Sequence, residues 1–180
     1  IVGFDLRLCF DSNERYMAQR HFTTPVEGLK NMMCGVMRWN LWMFVAKRAL
    51  YEEHHLRFVP GMDMGEDMLI MMTLFMQAER VCHVRKAYEH YRLVNDNAVS
   101  RHMTDKAIAQ VANNVARVEQ VLSKSRYADE WGQDVNFLKQ FIKLPLLITS
   151  DASQYEKWST IFPESDACIM QTPMIPLRTK

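Results

Sequence analysis

The sequence predicts an α/β protein, helix-rich overall, in which a partial sheet with helices is followed by a mostly helical C-terminal region. Three observations carry this expectation. The opening stretch Ile1 to Phe10 holds β-branched and aromatic residues in a partial period of two, the pattern of a strand. The run from Met68 to Ala78 is apolar on nearly every side, broken only by Thr73 and Gln77, which fits a buried helix. From Thr104 onward, apolar or small residues recur at i, i+3 and i+4 through Ala107, Ile108, Val111, Val115, Val118 and Leu122.

Taken in order, Asp11-Ser12-Asn13 supplies turn chemistry after the first strand, and Glu14 to Phe22 returns as a second. Thr23-Thr24-Pro25 starts a helix, with a Thr cap and Pro in the first turn; it runs to about Val36, weakened by Gly28 and Gly35. Trp39 to Phe44 is aromatic-rich and partly extended, and Ala46 to His55 is a short helix. After the Met-rich helix, Arg80–Val84 and Tyr88–Val94 alternate as two short strands on either side of Lys86. Asn95-Asp96-Asn97 opens a loop to about His102. A helix from Thr104 ends near Ser125-Arg126. A second, Asp129 to Leu147, carries Val135, Leu138, Phe141, Ile142 and Leu146 on one face and is kinked or ended by Pro145. A short helix from Tyr155 to Ile161 precedes an irregular tail marked by Pro163, Pro173 and Pro176. The change of pattern near His102 divides the chain into residues 1–102 and a helical appendage, 103–180.

Composition excludes several classes. Hydrophobic content is 48% and charged content 24%, ordinary for a globular protein, and the net charge of +1 gives no field for nucleic acid. The longest apolar run, Met68 to Met72, is far short of the roughly 20 residues a membrane helix needs. The amino terminus has no basic segment of a signal peptide, and no initiator Met opens it, which points to a piece of a longer chain. The four cysteines, Cys9, Cys34, Cys82 and Cys168, are widely spaced without a C-x-x-C or Cys/His metal pattern and are expected as buried free thiols. The 14 methionines read as adaptable core filling.

The junction Gly61-Met62-Asp63-Met64-Gly65-Glu66-Asp67 organises the candidate chemistry. Its glycines permit positive φ or close approach to a ligand, and the helix start that follows favours anions by about 0.3–1 kcal/mol. Glu66 and Asp67 are therefore either ordinary helix-start acids or an anchored general base. Neighbouring candidates have equally plain alternatives. Trp42 is a sugar- or nucleotide-facing ring or a core residue beside Leu41 and Phe44, and Tyr88 and Tyr91 fit sheet packing.

Four landmarks in this order resemble a known family. They are Leu41-Trp42 through Leu50, the Phe58…Gly61…Gly65-Glu66-Asp67 element, Ala78-Glu79-Arg80-Val81 with Tyr88-Glu89-His90-Tyr91-Arg92, and Asn97-Ala98-Val99-Ser100. The pattern is similar to the family 2 inverting glycosyltransferases of the GT-A fold, of the type found in bacterial surface-polysaccharide assembly, over about Ile1 to His102. The resemblance implies a nucleotide-sugar donor, a saccharide acceptor and a divalent metal, Mn or Mg. It implies Asp67 as general base assisted by Glu66, with Gly65, Trp42, Arg92 and Ser100 near substrate and His102 near the metal. It also implies a cytoplasmic enzyme, peripheral at the inner membrane face.

The departures are specific. The family's N-terminal βαβ half, with its Asp-x-Asp metal site, has no counterpart before Ile1, and the Q-x-x-R-W element of processive members is missing. The chain is thus expected to be the acceptor-side and C-terminal part, inactive alone, with no cofactor of its own and with an exposed sheet edge that favours homo-oligomers. Two other readings compete. One is a non-catalytic interaction module with a groove between the helices 107–122 and 135–146. The other is a different metalloenzyme that sets Glu66 and Asp67 beside His54, His55 or His102.

Overall fold

A computed structural model describes residues 1–93, 104–149 and 151–173. The chain is mixed α/β and helix-rich. Strand β1 (Val2–Cys9) turns back into β2 (Glu14–Met17), and α1 (Pro25–Met33) follows. A 3-10 turn, Leu41–Met43, leads into β3 (Phe44–Val45) and α2 (Arg48–Glu53). Then come α3 (Glu66–Gln77), β4 (Cys82–Arg92), α4 (Asp105–Ser123), α5 (Asp134–Leu147), α6 (Ser153–Thr160) and a 3-10 segment, Pro163–Gln171.

The sheet is built on β1. Its full length pairs in parallel with β4, while its other edge is shared by two antiparallel partners, β3 at Val2–Gly3 and β2 at Leu6–Cys9. The two strands expected around Lys86 are one. Register slips between Phe4↔Val84, Asp5↔Ala87 and Leu6↔Glu89 leave Arg85, Lys86 and Tyr88 without a partner on β1. Such a bulge breaks the period of two without ending the strand.

Asp5 lies where the register slips. It is 1% exposed, yet its carboxylate accepts from the backbone N–H of Gln19 (2.7 Å), from the Tyr16 hydroxyl and from His83 Nε2 (3.0 Å). His83 Nδ1 in turn lies 3.3 Å from His21 Nδ1. Three segments are thereby tied to one buried acid. The expected strand to Phe22 stops at Met17, because Gln19 turns inward to Asp5 rather than continuing the ladder.

Helix α1 starts as expected, with Thr24 Oγ1 accepting from Glu27 N at 3.2 Å. It ends at Met33 rather than Val36, because Gly35 takes φ 72°. Gly28 serves packing: a Cβ there would meet Phe75 Cε1 at 2.4 Å, so α3 approaches α1 over a bare backbone. Phe22, Phe44 and Phe75 cluster beside it with ring centroids 5.4–6.5 Å apart. Helix α3 is buried from Met68 to Met76 apart from half-buried Leu69, and its Leu, Ile, Met and Phe side chains contribute about 1.5–3 kcal/mol each when fully removed from water. The same core continues through Val111, Val115, Val118 and Leu122 of α4 to Leu138 of α5.

The C-terminal elements depart from expectation in three ways. Helix α5 begins at Asp134, preceded by a 3-10 turn at Ala128–Glu130 and by Gly132 at φ 45°, and it carries Pro145 in its last turn. Its buried face includes Lys139, Gln140 and Lys143 as well as Leu138 and Leu146. Lys139 Nζ donates to Glu119 (2.8 Å) and Glu164 (2.7 Å). Lys143 donates to Asp166 and to the Ile161 carbonyl (3.0 Å), and it lies 4.3 Å from the Trp158 ring centroid. These cations fasten Pro163–Gln171, which is helical rather than irregular as expected. Among the cysteines, only Cys168 is fully buried and Cys82 is exposed; burial pushes the half-buried Cys34 thiol up to about 11. No helix among the described residues is long and apolar enough to cross a membrane.

Two outcomes follow from these contacts. Asp5→Ala strands His83, Tyr16 and the Gln19 N–H and is expected to cost about 3–5 kcal/mol in urea denaturation. The contact between α5 and 163–171 is strongest at intermediate pH. Hydrogen bonds from Lys139 hold Glu164 below the usual carboxylate range, so that stabilisation is present above about pH 4.3 and is lost on acidification. Desolvation lowers the Lys139 pKa, but its bonds to Glu119 and Glu164 outweigh this and raise it, so its contribution is lost only above about pH 10.4. Amide exchange across 163–171 should accelerate at both extremes while the α3 amides stay protected.

Candidate functional site

The loop before α3 is set by backbone conformation and by two buried amides. Gly61 and Gly65 both take φ 78°, as expected of glycines at this junction. Gln110 Nε2 donates to the Gly61 carbonyl (2.6 Å) and Asn114 Nδ2 to the Met64 carbonyl (2.8 Å). Gln110 and Asn114 lie one helical turn apart on α4 and are almost fully buried. Sequence reasoning passed over them in favour of the apolar stripe. Their signal was available: two amides at i, i+4 directly beside Val111 and Val115.

Glu66 and Asp67 open α3 with no side-chain cap. Asp67 Oδ2 accepts from Leu41 N at 3.4 Å, and among the described residues neither acid has a Lys, Arg or His partner at ion-pair distance. Burial raises the pKa of Asp67 above the ordinary range, opposed only by the Leu41 N–H. Burial raises Glu66 as well, with Asp67 and Asp63 adding negative charge against it. The expected anion-favouring helix start is thus outweighed by desolvation. Tyr51 is raised too, by burial and then by the nearby Asp67 charge.

Trp42 follows Leu41 and stacks on Tyr91, centroids 4.7 Å apart and planes 12° from parallel. Tyr91 is therefore a stacking partner and not merely sheet filling, whereas Tyr88 is exposed with its ring edge on Phe4. Arg92 is exposed and lines a cleft of about 540 Å³ at the β1–β2 turn with Cys9, Glu14 and His90. A cleft of about 800 Å³ is lined by Ile1, Lys47, Leu50, Glu53 and His54 among others. Glu66 and Asp67 line neither of these. Ser100 and His102 lie outside the described residues.

The competing readings fare as follows. The space between α4 and α5 is reduced to about 10 Å³ because Ile161 and Phe162 fill it, too little for a partner's side chain. Among the described residues, His54 and His55 form no ligand group with Glu66 and Asp67; the one group of three closely spaced donors is Cys9, Glu14 and His90. Among the described residues, Glu66 and Asp67 thus belong to no group of three metal donors, and His102, the metal-side residue of the resemblance, lies outside them.

No protein-family model, curated protein or solved structure matches the chain.

Gly65→Ala is expected to cost about 1–2 kcal/mol, because a side chain is strained at φ 78° although the atoms nearest its Cβ, of Asn114 and Val111, lie at 3.4–3.5 Å. A shift of the urea midpoint with unchanged slope is the measurement.

Proposed function

We propose that the chain is the acceptor-side part of an inverting glycosyltransferase in which Asp67 is the general base. The observation that carries this is convergence. The Leu41-Trp42 segment, Asp67 and Tyr91, far apart in sequence, meet through the Leu41 N–H on Asp67 and the Trp42–Tyr91 stack. These are the positions of three landmarks of the resemblance. Two further features favour base chemistry: the carboxylate has no cation to neutralise it among the described residues, and its pKa is raised by burial.

In the proposed reaction a saccharide hydroxyl attacks the anomeric carbon of a nucleotide-sugar. The hydroxyl proton passes to Asp67, the new C–O bond forms with inversion, and the nucleotide diphosphate leaves. Glu66 precedes Asp67 in the same first turn and is itself raised by burial and, further, by the Asp67 and Asp63 charges. Gln110 and Asn114 hold the loop that fixes where α3 begins. The donor's diphosphate is left to residues other than these.

The test is sugar transfer by the full reading frame that contains these residues, wild type against Asp67→Asn. The variant should fold normally and lose about 10²–10⁴-fold in kcat, the usual contribution of a general base. The acid limb of the wild-type rate should lie above the usual Asp range of about pH 3.9 and vanish with the variant. Unchanged turnover would rule out the role.

A further inference from the structure

We propose that Cys9, Glu14 and His90 form a zinc site at the end of the sheet, binding one Zn²⁺ through Cys9 Sγ, Glu14 Oε1 and His90 Nδ1 and leaving the fourth position open.

The strand register assembles it. Cys9 at the end of β1 faces Glu14 at the start of β2, and His90 of β4 lies opposite Arg7, two residues back along β1 and so on the same face as Cys9. The three ligand atoms lie within 4.8 Å of one another. Cys9 Sγ is 3.7 Å and His90 Nδ1 3.8 Å from the same oxygen, Glu14 Oε1. Zinc bonds of about 2.3 Å to sulfur and about 2.0–2.2 Å to nitrogen and oxygen, at tetrahedral angles, require ligand separations of roughly 3.4–3.7 Å. The spacing already present is therefore close to that of a loaded site.

The second carboxylate oxygen has its own partner: Arg7 Nη1 is 3.7 Å from Glu14 Oε2. Arg7 thus orients Glu14 without occupying the oxygen the other two groups face, the part an outer-shell residue plays in a metal site. Without metal the group is held only by the Cys9 thiol donating to Glu14 Oε1 and by the exposed pairs of Glu14 with His90 and Arg7, surface contacts that each contribute little. One sulfur, one imidazole and one carboxylate suit zinc better than the oxygen-seeking Mg²⁺ or Ca²⁺. The adjoining cleft of about 540 Å³ gives the fourth position room for water or a small ligand.

The protein, first stripped with a chelator, is titrated with Zn²⁺ alone against a chromophoric indicator. One equivalent is expected to bind. Cys9→Ser and His90→Ala should each weaken binding at least about 100-fold, the upper end of what losing even an outer-shell partner costs. Cys82→Ser, which removes the exposed thiol elsewhere, should leave it unchanged. Co²⁺ in place of zinc should give a thiolate-to-metal charge-transfer band that Cys9→Ser abolishes. All three positions are exposed or half-exposed, and circular dichroism checks that the variants keep the fold. No binding, binding indifferent to Cys9 and His90, or binding lost with Cys82→Ser would overturn the site.

Discussion

A buried carboxylate sets the geometry of the sheet. Asp5 sits in the middle of β1 with almost no solvent contact and is stable there only because three donors reach it. Leaving such a group unpaired would cost more than any single apolar contact nearby returns, so its partners are not free to move. Tyr16 brings β2 alongside, Gln19 directs the chain out of β2, and His83 fixes the start of β4. Gly3, two residues before Asp5, leaves room for Phe22 and Phe44, and the Phe22 ring stacks on His83 with centroids 5.6 Å apart. The polar cluster and the aromatic core are thus one construction. The bulge in β4 lets the rest of that strand follow β1 to Cys9.

Behind the sheet, α3 acts as the central rod. Gly28 allows it to lie close to α1, and α4 packs along it while reaching back with Gln110 and Asn114 to the loop that feeds it. The start of α3 is therefore fixed from two directions, by the core it enters and by the amides that hold its approach. Acids at such a start are placed with far less freedom than acids on a surface loop.

How much of this could be read in advance follows from the kind of signal each feature leaves. The first strand, the Thr24 cap, the Met-rich helix and the α4 stripe were legible, because each is a local pattern of period or capping. The single long β4 was not, since a bulge shifts the alternation and mimics a break at Lys86. The apolar face of α5 was legible in Leu138 and Leu146, but the burial of Lys139 and Lys143 beside them depends on distant partners, Glu119, Glu164 and Asp166. At the candidate site, Glu66, Asp67 and Trp42 stood out by type and place, but the stack of Trp42 on Tyr91 joins residues 49 apart and depends on strand placement. The grouping of Cys9, Glu14 and His90 likewise comes from cross-strand register, which linear spacing cannot reveal.

The acids of the first turns provide an internal comparison that bears on Asp67. Glu27 of α1 does what a helix-start acid ordinarily does: its Oε2 accepts from the Thr23 N–H at 2.9 Å and the Thr23 hydroxyl at 3.1 Å, and these bonds lower its pKa. Asp105 of α4 pairs with Lys157 at 2.5 Å. Asp134 of α5, raised by burial, is eased by Lys30 and by the Cys34 thiol at 3.8 Å. Asp67 is also raised by burial, yet it holds only one long bond from Leu41. Had it been placed for capping or for the dipole, it should resemble Glu27. It is instead a desolvated carboxylate without a cation among the described residues, beside a stacked aromatic pair. A group in that state binds a proton more readily than a cap does, which is the property the proposed general base needs.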